Sequence, residues 1–470
     1  MGLSCALAVV VSLTGLALVA PATASASHGR QHHHSHQHRA QGHHPGKHHT
    51  SKHHHGKKKA SKKPAHKHKD KHKQVWIPTD GTFFNYPFSP RHDDRYRIRQ
   101  QLRNAVKAAP AGSRIRFTTF SFVDARLAGS LVAADRRGVS VQVLVNRKDV
   151  KLSAPFRSLQ KALGHSRRGP HGDNRRSARE RASFVRTCAF SCRGSRGNLH
   201  SKIYLFSKVG HTRWVSMVGS ANLTRFAAVG QWNHLNTITG KATYLRLRHV
   251  FNQMRRDRAL RHPFLRFSTP KTVAWVFPRL HSTFRTDPTM RILNRISCRA
   301  TPHTGVKVKH KHHKHKPKHH KQITRRTVIR IAMYAWFDGR GNALARAVRH
   351  KWNQGCDVRV IYSVLNRTVK SVLYNPSGRG RIPMRRSVVT DSMGNVVDYD
   401  HSKYVAVNGR FAGRGRSLVW TGSMNFTQLG LSSDDIIVRL SGRKVYRAYL
   451  GNFRRVWHAP TARVPLPTRG

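Results

Sequence analysis

Between residues 114 and 146 the spacing of apolar positions changes period twice. "RIRFTTF" alternates in steps of two, as a strand does, and "DARLAGSLVAADRRG" spaces its apolar residues three and four apart, as a helix does. "VSVQVLVN" then returns to the strand period. The order predicted is strand, short acidic turn, amphipathic helix, strand. It recurs in "VIRIAMYAWFDGRGNALARAVRHKWNQGCDVRVIYS", residues 328–363, where Tyr334, Asp338 and Gly355 correspond to Phe120, Asp124 and Gly138. Such β-α-β units predict a parallel or mixed sheet covered by helices. One duplication at this chain length predicts two copies of a single fold rather than a solenoid.

A second alternating stretch, "GNLHSKIYLF" (197–206), puts His200 and Lys202 two apart and so on the same face of a strand. Alone the pair carries no information, because a lone strand-end His is more often a satisfied polar residue and His and Lys abound here. It returns, however, as His401 and Lys403 in "YDHSKYVAV". Each copy is followed about twenty residues later by a strand ending in Gly-Ser-x-Asn: "WVSMVGSANLT" with Ser220 and Asn222, and "SLVWTGSMNFT" with Ser423 and Asn425. Matched recurrence of both motifs removes composition as the explanation.

These residue types suit a phosphodiester. Imidazole moves between nucleophile or base and acid near neutral pH. One His from each half can attack phosphorus and the other protonate the leaving alcohol. Lys202, Lys403 and the Ser and Asn donors would meet the charge on the non-bridging oxygens, with no metal or cofactor required.

At these residues the sequence resembles the phospholipase D superfamily, the HKD enzymes, over roughly residues 75–460. The resemblance implies two pseudo-symmetric α/β/α sandwich domains with one active site at their interface, His200 as nucleophile and His401 as general acid. The family motif is H-x-K-x4-D, and here Ser207 and Asn408 stand at the Asp position. The family also places an acidic residue after each Gly-Ser-x-Asn turn to orient a catalytic His. Asp435 (or its neighbour Asp434) fits in the second copy, and Asn236 takes the place in the first.

Charge and composition narrow the partners. The 470-residue chain has a net charge of +71 and only one Glu, Glu180. That balance favours polyanions: nucleic acid, anionic lipid surfaces or anionic cell-wall polymers. "MGLSCALAVVVSLTGLALVAPATASAS" reads as a secretory signal whose apolar run is short for a membrane span, with small residues at Ala22, Ala24 and Ala26. In an exported chain the remaining cysteines make an even set. Cys188 with Cys192 would staple the loop before the first H-x-K strand, and Cys298 pairs with Cys356 by elimination.

The organisation expected is a signal peptide over 1–26, a disordered His/Lys-rich tail over 27–74, and a first repeat over 75–300. A basic low-complexity insertion over 301–322 and a second repeat over 323–470 follow. The functional expectation is a secreted, monomeric phospholipase D-like phosphodiesterase acting on phospholipid at a membrane surface. A secreted nuclease of the same superfamily and a weakly active binder of anionic surfaces are the alternatives. Exposed apolar residues beside the site would favour lipid, with "HPFLRF" (262–267) and "TVAWVFP" (272–278) as candidates. Trp232, Trp275 and Trp336 read as packing residues rather than base-stacking platforms.

Overall fold

The computed structural model describes residues 76–149, 153–164, 182–283, 285–298, 326–376 and 378–464. The expected signal peptide, the tail and the insertion lie outside the described residues.

The duplicated pattern folds into two sheets. The first holds strands β1 (Gly81–Phe84), β2 (Arg114–Thr119), β3 (Ser140–Asn146), β4 (Phe184–Cys188), β5 (Ile203–Val209), β6 (Thr212–Gly219) and β8 (His234–Thr239), with β7 (Gln231–Trp232) standing apart from them. Their spatial order is β1-β8-β6-β5-β2-β3-β4. The second holds β9 (Leu265–Ser268), β10 (Val273–Val276), β12 (Val328–Trp336), β13 (Asp357–Leu365), β14 (Met384–Thr390), β15 (Val396–Asp400), β16 (Lys403–Phe411), β17 (Arg414–Gly422) and β18 (Ile436–Ser441). It runs β7-β15-β14-β13-β12-β16-β17-β18-β10-β9, so that β7 extends the second sheet, with β11 (Ile296–Ser297) beside β16 and β19 (Ala462–Arg463) beside β14. Strands β2, β3 and β4 are parallel, as are β12, β13 and β14. Strands β5 and β16 join their partners antiparallel; β1 closes one edge of the first sheet against β8, and β10 lies against β18 with β9 beyond it at the edge of the second.

Period-two alternation explains the layers. In the first sheet Val141, Val143, Val145 and Tyr204 face a core with Leu102, Leu127, Leu131 and Leu159 of one helical layer. Leu144, Ile203, Leu205 and Val218 point the other way, onto Tyr244, Leu247, Val250 and Phe251 of the helix Lys241–Met254. Strands buried on both faces therefore read as near-continuous apolar runs. The second sheet repeats this. Val358, Val360 and Val405 meet Leu344, Val348 and Leu373, while Ile361, Tyr404 and Ala406 meet Tyr449 and Phe453 of the helix Arg443–Trp457. Each repeat is thus an α/β/α sandwich. The acidic turns are helix caps: the Asp124 carboxylate accepts from the Leu127 N–H, and Asp338 accepts from the Arg340 and Gly341 N–H groups.

Two expectations are corrected here. The boundary between repeats does not fall at residue 300. Strands β9 and β10 pair into the second sheet, and Ile292 and Leu293 pack in its core, so the change occurs after Met254. The low-complexity tract marks a composition shift inside the second repeat, between β11 and β12, rather than a junction. The apolar "TVAWVFP" is core, with Val276 and Phe277 fully buried, and Phe267 of "HPFLRF" is buried as well. Trp232, Trp275 and Trp336 are buried, as the sequence reading expected. Both disulfides form, Cys188–Cys192 and Cys298–Cys356. Among the described residues no helix is long and apolar enough to cross a membrane.

Candidate active site

Register places the two histidines. β5 pairs antiparallel with β2 so that Ile203 faces Thr118, which brings Ser201 level with Phe120 and His200 one residue further, just past the end of β2. The two rings meet edge-on at 5.6 Å. β16 pairs with β12 so that Lys403 faces Met333, and His401 meets the edge of Tyr334 at 4.8 Å. The correspondence of Phe120 with Tyr334 read from the sequence is therefore spatial as well.

Each histidine is held by the opposite repeat. The His200 backbone N–H donates to the Asp434 carbonyl, and the His401 N–H donates to the Trp232 carbonyl, both at 3.0 Å. A parallel bridge joins Leu199 to Asp434, and its counterpart joins Asp400 to Trp232. The side chains follow the same exchange. His200 Nδ1–H donates to Asp435 Oδ1 at 2.9 Å, and His401 Nδ1–H donates to Asn233 Oδ1 at 3.0 Å. Because both partners accept there, each neutral imidazole carries its proton on Nδ1 and leaves the Nε2 lone pair for the site. Residues two hundred positions apart thus form one site across the repeat interface.

The orienting pair expected from sequence is half right. Asp435 occupies the role, but it orients the His of the other repeat. Asn236 does not: its carboxamide oxygen accepts from Thr82 and Tyr449 in the interface core, and the residue at the His is Asn233. The signal that could have found Asn233 is its spacing. It lies 13 residues past Ser220, as Asp435 lies 12 past Ser423, whereas Asn236 lies further along β8.

The serines have a different task from the one expected. Ser220 Oγ–H donates to Asn233 Oδ1 and its oxygen accepts from the His234 N–H. Ser423 Oγ–H donates to Asp435 Oδ1 and accepts from the Ile436 N–H. A hydroxyl has one proton, so neither serine has one left for a phosphate oxygen. They fix the groups that fix the histidines. The preceding glycines are demanded by the same close approach, since a Cβ at Gly219 or Gly422 would lie 2.3 or 2.1 Å from the carbonyl oxygen of His234 or Ile436. Asn222 and Asn425 differ from the serines, because their carboxamide oxygens are buried without a hydrogen-bond partner among the described residues.

Lys202 and Lys403 are buried and donate to the carbonyls of His200 and His401, at 2.5 and 2.6 Å. Their ammonium groups lie 5.7 and 4.6 Å from the ring centres of Phe120 and Tyr334. Burial lowers the pKa of His200, and the Lys202 charge adds to this, while Asp435 pulls it back up. His401 is driven well below the usual imidazole value by burial, then by Lys403, Lys202 and His200, with no carboxylate opposing. Lys403 is also driven well down, by burial and then by Lys202, against Asp400 and Asp435. Burial acts to raise Asp435, but His200 and Ser423 hold the carboxyl below its usual value. Four basic side chains thus share one low-dielectric space, in which each charge disfavours the next.

The motif Asp positions stand apart from this chemistry. Ser207 accepts from the Arg114 N–H at the start of β2, and Asn408 accepts from Ser417. Among the described residues, Cys188, Cys192 and Asp257 form the one metal-like cluster, and both sulfurs are bonded to each other.

The result is a duplicated α/β fold in which each repeat holds the H-x-K histidine of the other. Residues 101–255 and 320–457 match the family model described as "Cardiolipin synthase, PLD-like domain". The chain belongs to that family, and so to the phosphodiesterases and phosphotransferases of the phospholipase D superfamily. No curated protein sequence matches it. Among solved structures it resembles the polyphosphate kinase of Porphyromonas gingivalis at 11% identity and TM-score 0.48, covering 83% of this chain. That match spans 53%, about half, of the kinase. It also resembles the phosphatidylserine synthase of Haemophilus influenzae Rd KW20, at 10% identity and TM-score 0.48, over 79% of this chain and 86% of the synthase. A third neighbour is Nuc of Salmonella typhimurium, a phospholipase D family member. It is 17% identical at TM-score 0.27, over 37% of this chain and 94% of that one.

Proposed function

We propose that the chain is a secreted phospholipase D-type phosphodiesterase that cleaves the headgroup ester of glycerophospholipids through a phosphohistidine. The observation that carries this reading is the reciprocal hold on the two imidazoles at Nδ1, which leaves an Nε2 lone pair on each, with His401 coupled electrostatically to His200, Lys202 and Lys403. The name of the matched family model, a cardiolipin synthase domain, supports a phospholipid as substrate. The two disulfides support an oxidising compartment. A site completed within one chain supports action as a monomer.

In this reading the His200 Nε2 lone pair attacks phosphorus while the P–O bond to the headgroup alcohol breaks. Protonated His401 gives its Nε2 proton to the departing oxygen. Asp435 balances the positive charge that the phosphorylated His200 ring acquires. Neutral His401 then takes a proton from water, whose oxygen attacks phosphorus and releases His200 and the phosphatidic acid. Lys202, Lys403, Asn222 and Asn425 face the non-bridging oxygens, and Ser220 and Ser423 act as positioning residues.

The test offers purified protein phosphatidylcholine vesicles and, separately, plasmid DNA in chelator. Choline release that disappears in His200→Ala, with acid-labile and base-stable phosphate on one histidine, is the expected result. Plasmid nicking without lipid turnover would replace this reading with a nuclease, for which the charge of +71 speaks. Inactivity on both, with binding to anionic vesicles retained, would leave a surface-binding protein.

A further inference from the structure

The two repeats expose apolar side chains at matched positions around the site. Val123 and Phe337 each stand three residues beyond Phe120 and Tyr334, the residues that touch the histidines, and are 41% and 36% exposed. Phe226 and Leu429 each stand four residues beyond Asn222 and Asn425, and are 37% and 51% exposed. Hydrogen bonds and ring contacts tie these positions to the surroundings of the histidines. The Val123 N–H donates to the Leu223 carbonyl, and the Gln428 N–H donates to Asp338, which ties Leu429 to the neighbourhood of Phe337. The Phe226 ring is 5.8 Å from Tyr399, whose ring is 5.9 Å from His401.

A fifth apolar element lies toward the same end of the second sheet. β14 runs parallel to β13 and β12, toward the end at which β12 delivers Tyr334. The turn that follows it carries Met393, 79% exposed, and leads back to Tyr399 through exposed Val396 and Val397. Exposed Arg126 and Arg225 stand beside Val123 and Phe226.

We propose that this edge is a docking surface for an anionic phospholipid bilayer, with Val123, Phe226, Phe337, Leu429 and Met393 entering the headgroup–acyl boundary. Apolar side chains at the tips of an otherwise cationic surface are what an anionic interface selects, since burial and charge then act together. Phe226 and Phe337 could each stack on a base, but Val123, Leu429 and Met393 offer no flat ring, so the set as a whole suits an acyl boundary better than a single-stranded nucleic acid. The inference rests on the lipid reading above for its effect on turnover, but membrane binding is measurable without it.

The test uses the full chain and vesicles of phosphatidylcholine with a minority of phosphatidylglycerol. Sedimentation is measured at about 0.5 M salt, where the Debye length of ~4 Å screens the polycationic contribution. Wild type and His200→Ala are expected to sediment with the vesicles. The triple substitution Phe226→Ser, Phe337→Ser, Leu429→Ser is expected to lower the partition coefficient about a hundredfold, with an unchanged denaturation midpoint. Equal partition of the triple variant and wild type, or no binding by wild type at that salt, overturns the docking surface. Retained headgroup release from detergent-dispersed lipid would then keep the lipid reading intact. Binding that depends on the three residues but yields no headgroup release keeps the docking surface and ends the lipid-hydrolase reading.

Discussion

Asn233 and Asp435 stand at the same place in the two repeats, and one carries a charge that the other lacks. The consequence is a division of labour. Asp435 stabilises positive charge on His200, the state reached on phosphorylation, so Asp435→Asn should lower kcat by about 10²–10⁴-fold. Asn233 fixes the His401 tautomer without favouring its protonated form. His401 must be protonated to release the alcohol, and its pKa is driven well down by burial and by Lys403. Activity that depends on this acid is therefore lost as pH rises through that lowered value. Asn233→Asp adds a carboxylate that favours the imidazolium, so the limb on which kcat falls with rising pH should move to higher pH. A pH–rate profile of the variant measures this, and a uniform drop at every pH with no displaced limb would assign Asn233 a packing role only.

Single elements carry the geometry from the core to these residues. Arg193, fully buried after the Cys188–Cys192 turn, pairs with Asp434 at 2.8 Å and bonds the Gln253 carboxamide and the carbonyls of Pro263 and Phe277. Asp434 in turn accepts the His200 backbone N–H. Arg193→Met leaves a buried carboxylate unpaired, and chemical denaturation should register a loss of about 3–5 kcal/mol. Arg340 plays the matching part in the second repeat, pairing with Asp287 at 2.7 Å and holding the carbonyls of Asn425 and Thr427. The Cys298–Cys356 disulfide closes a separation of 58 residues, so its reduction should lower stability by about 4 kcal/mol in thermal or denaturant melts.

Across the whole molecule the buried titratable groups pull stability in opposite directions with pH. His234 lies in the interface core with its pKa pushed down to about 3 by burial and by Lys403. Unfolded, it returns to about 6.5, so the unfolded chain binds the extra proton between those values and stability falls as pH drops from 6.5 toward 3. Asp398 behaves oppositely. Burial and then Asp400 push it up to about 8 from 3.8, so it disfavours folding increasingly as pH rises through that window. Asp398→Asn should therefore raise the denaturation midpoint at pH 8 and leave it nearly unchanged at pH 3. A midpoint that falls at pH 8 would mean that the carboxylate has a partner that stabilises its charged form.

Apolar period and motif recurrence were enough to read the duplicated β-α-β units and the two H-x-K strands, because those patterns repeat within the chain, whereas the sandwich was implied by the family resemblance and the Cys298–Cys356 pairing came by elimination. Sequence spacing could not say that Asp435 serves His200, that Asn233 rather than Asn236 serves His401, or that the two serines spend their protons on these residues. Nor could it separate the buried "TVAWVFP" from the exposed Phe337 and Leu429. Those outcomes depend on which repeat faces which, and on the register with which β7 meets β15 across the interface. An apolar residue looks the same in a sequence whether it points into a core or out of a mouth, and only the closed tertiary structure fixes that direction.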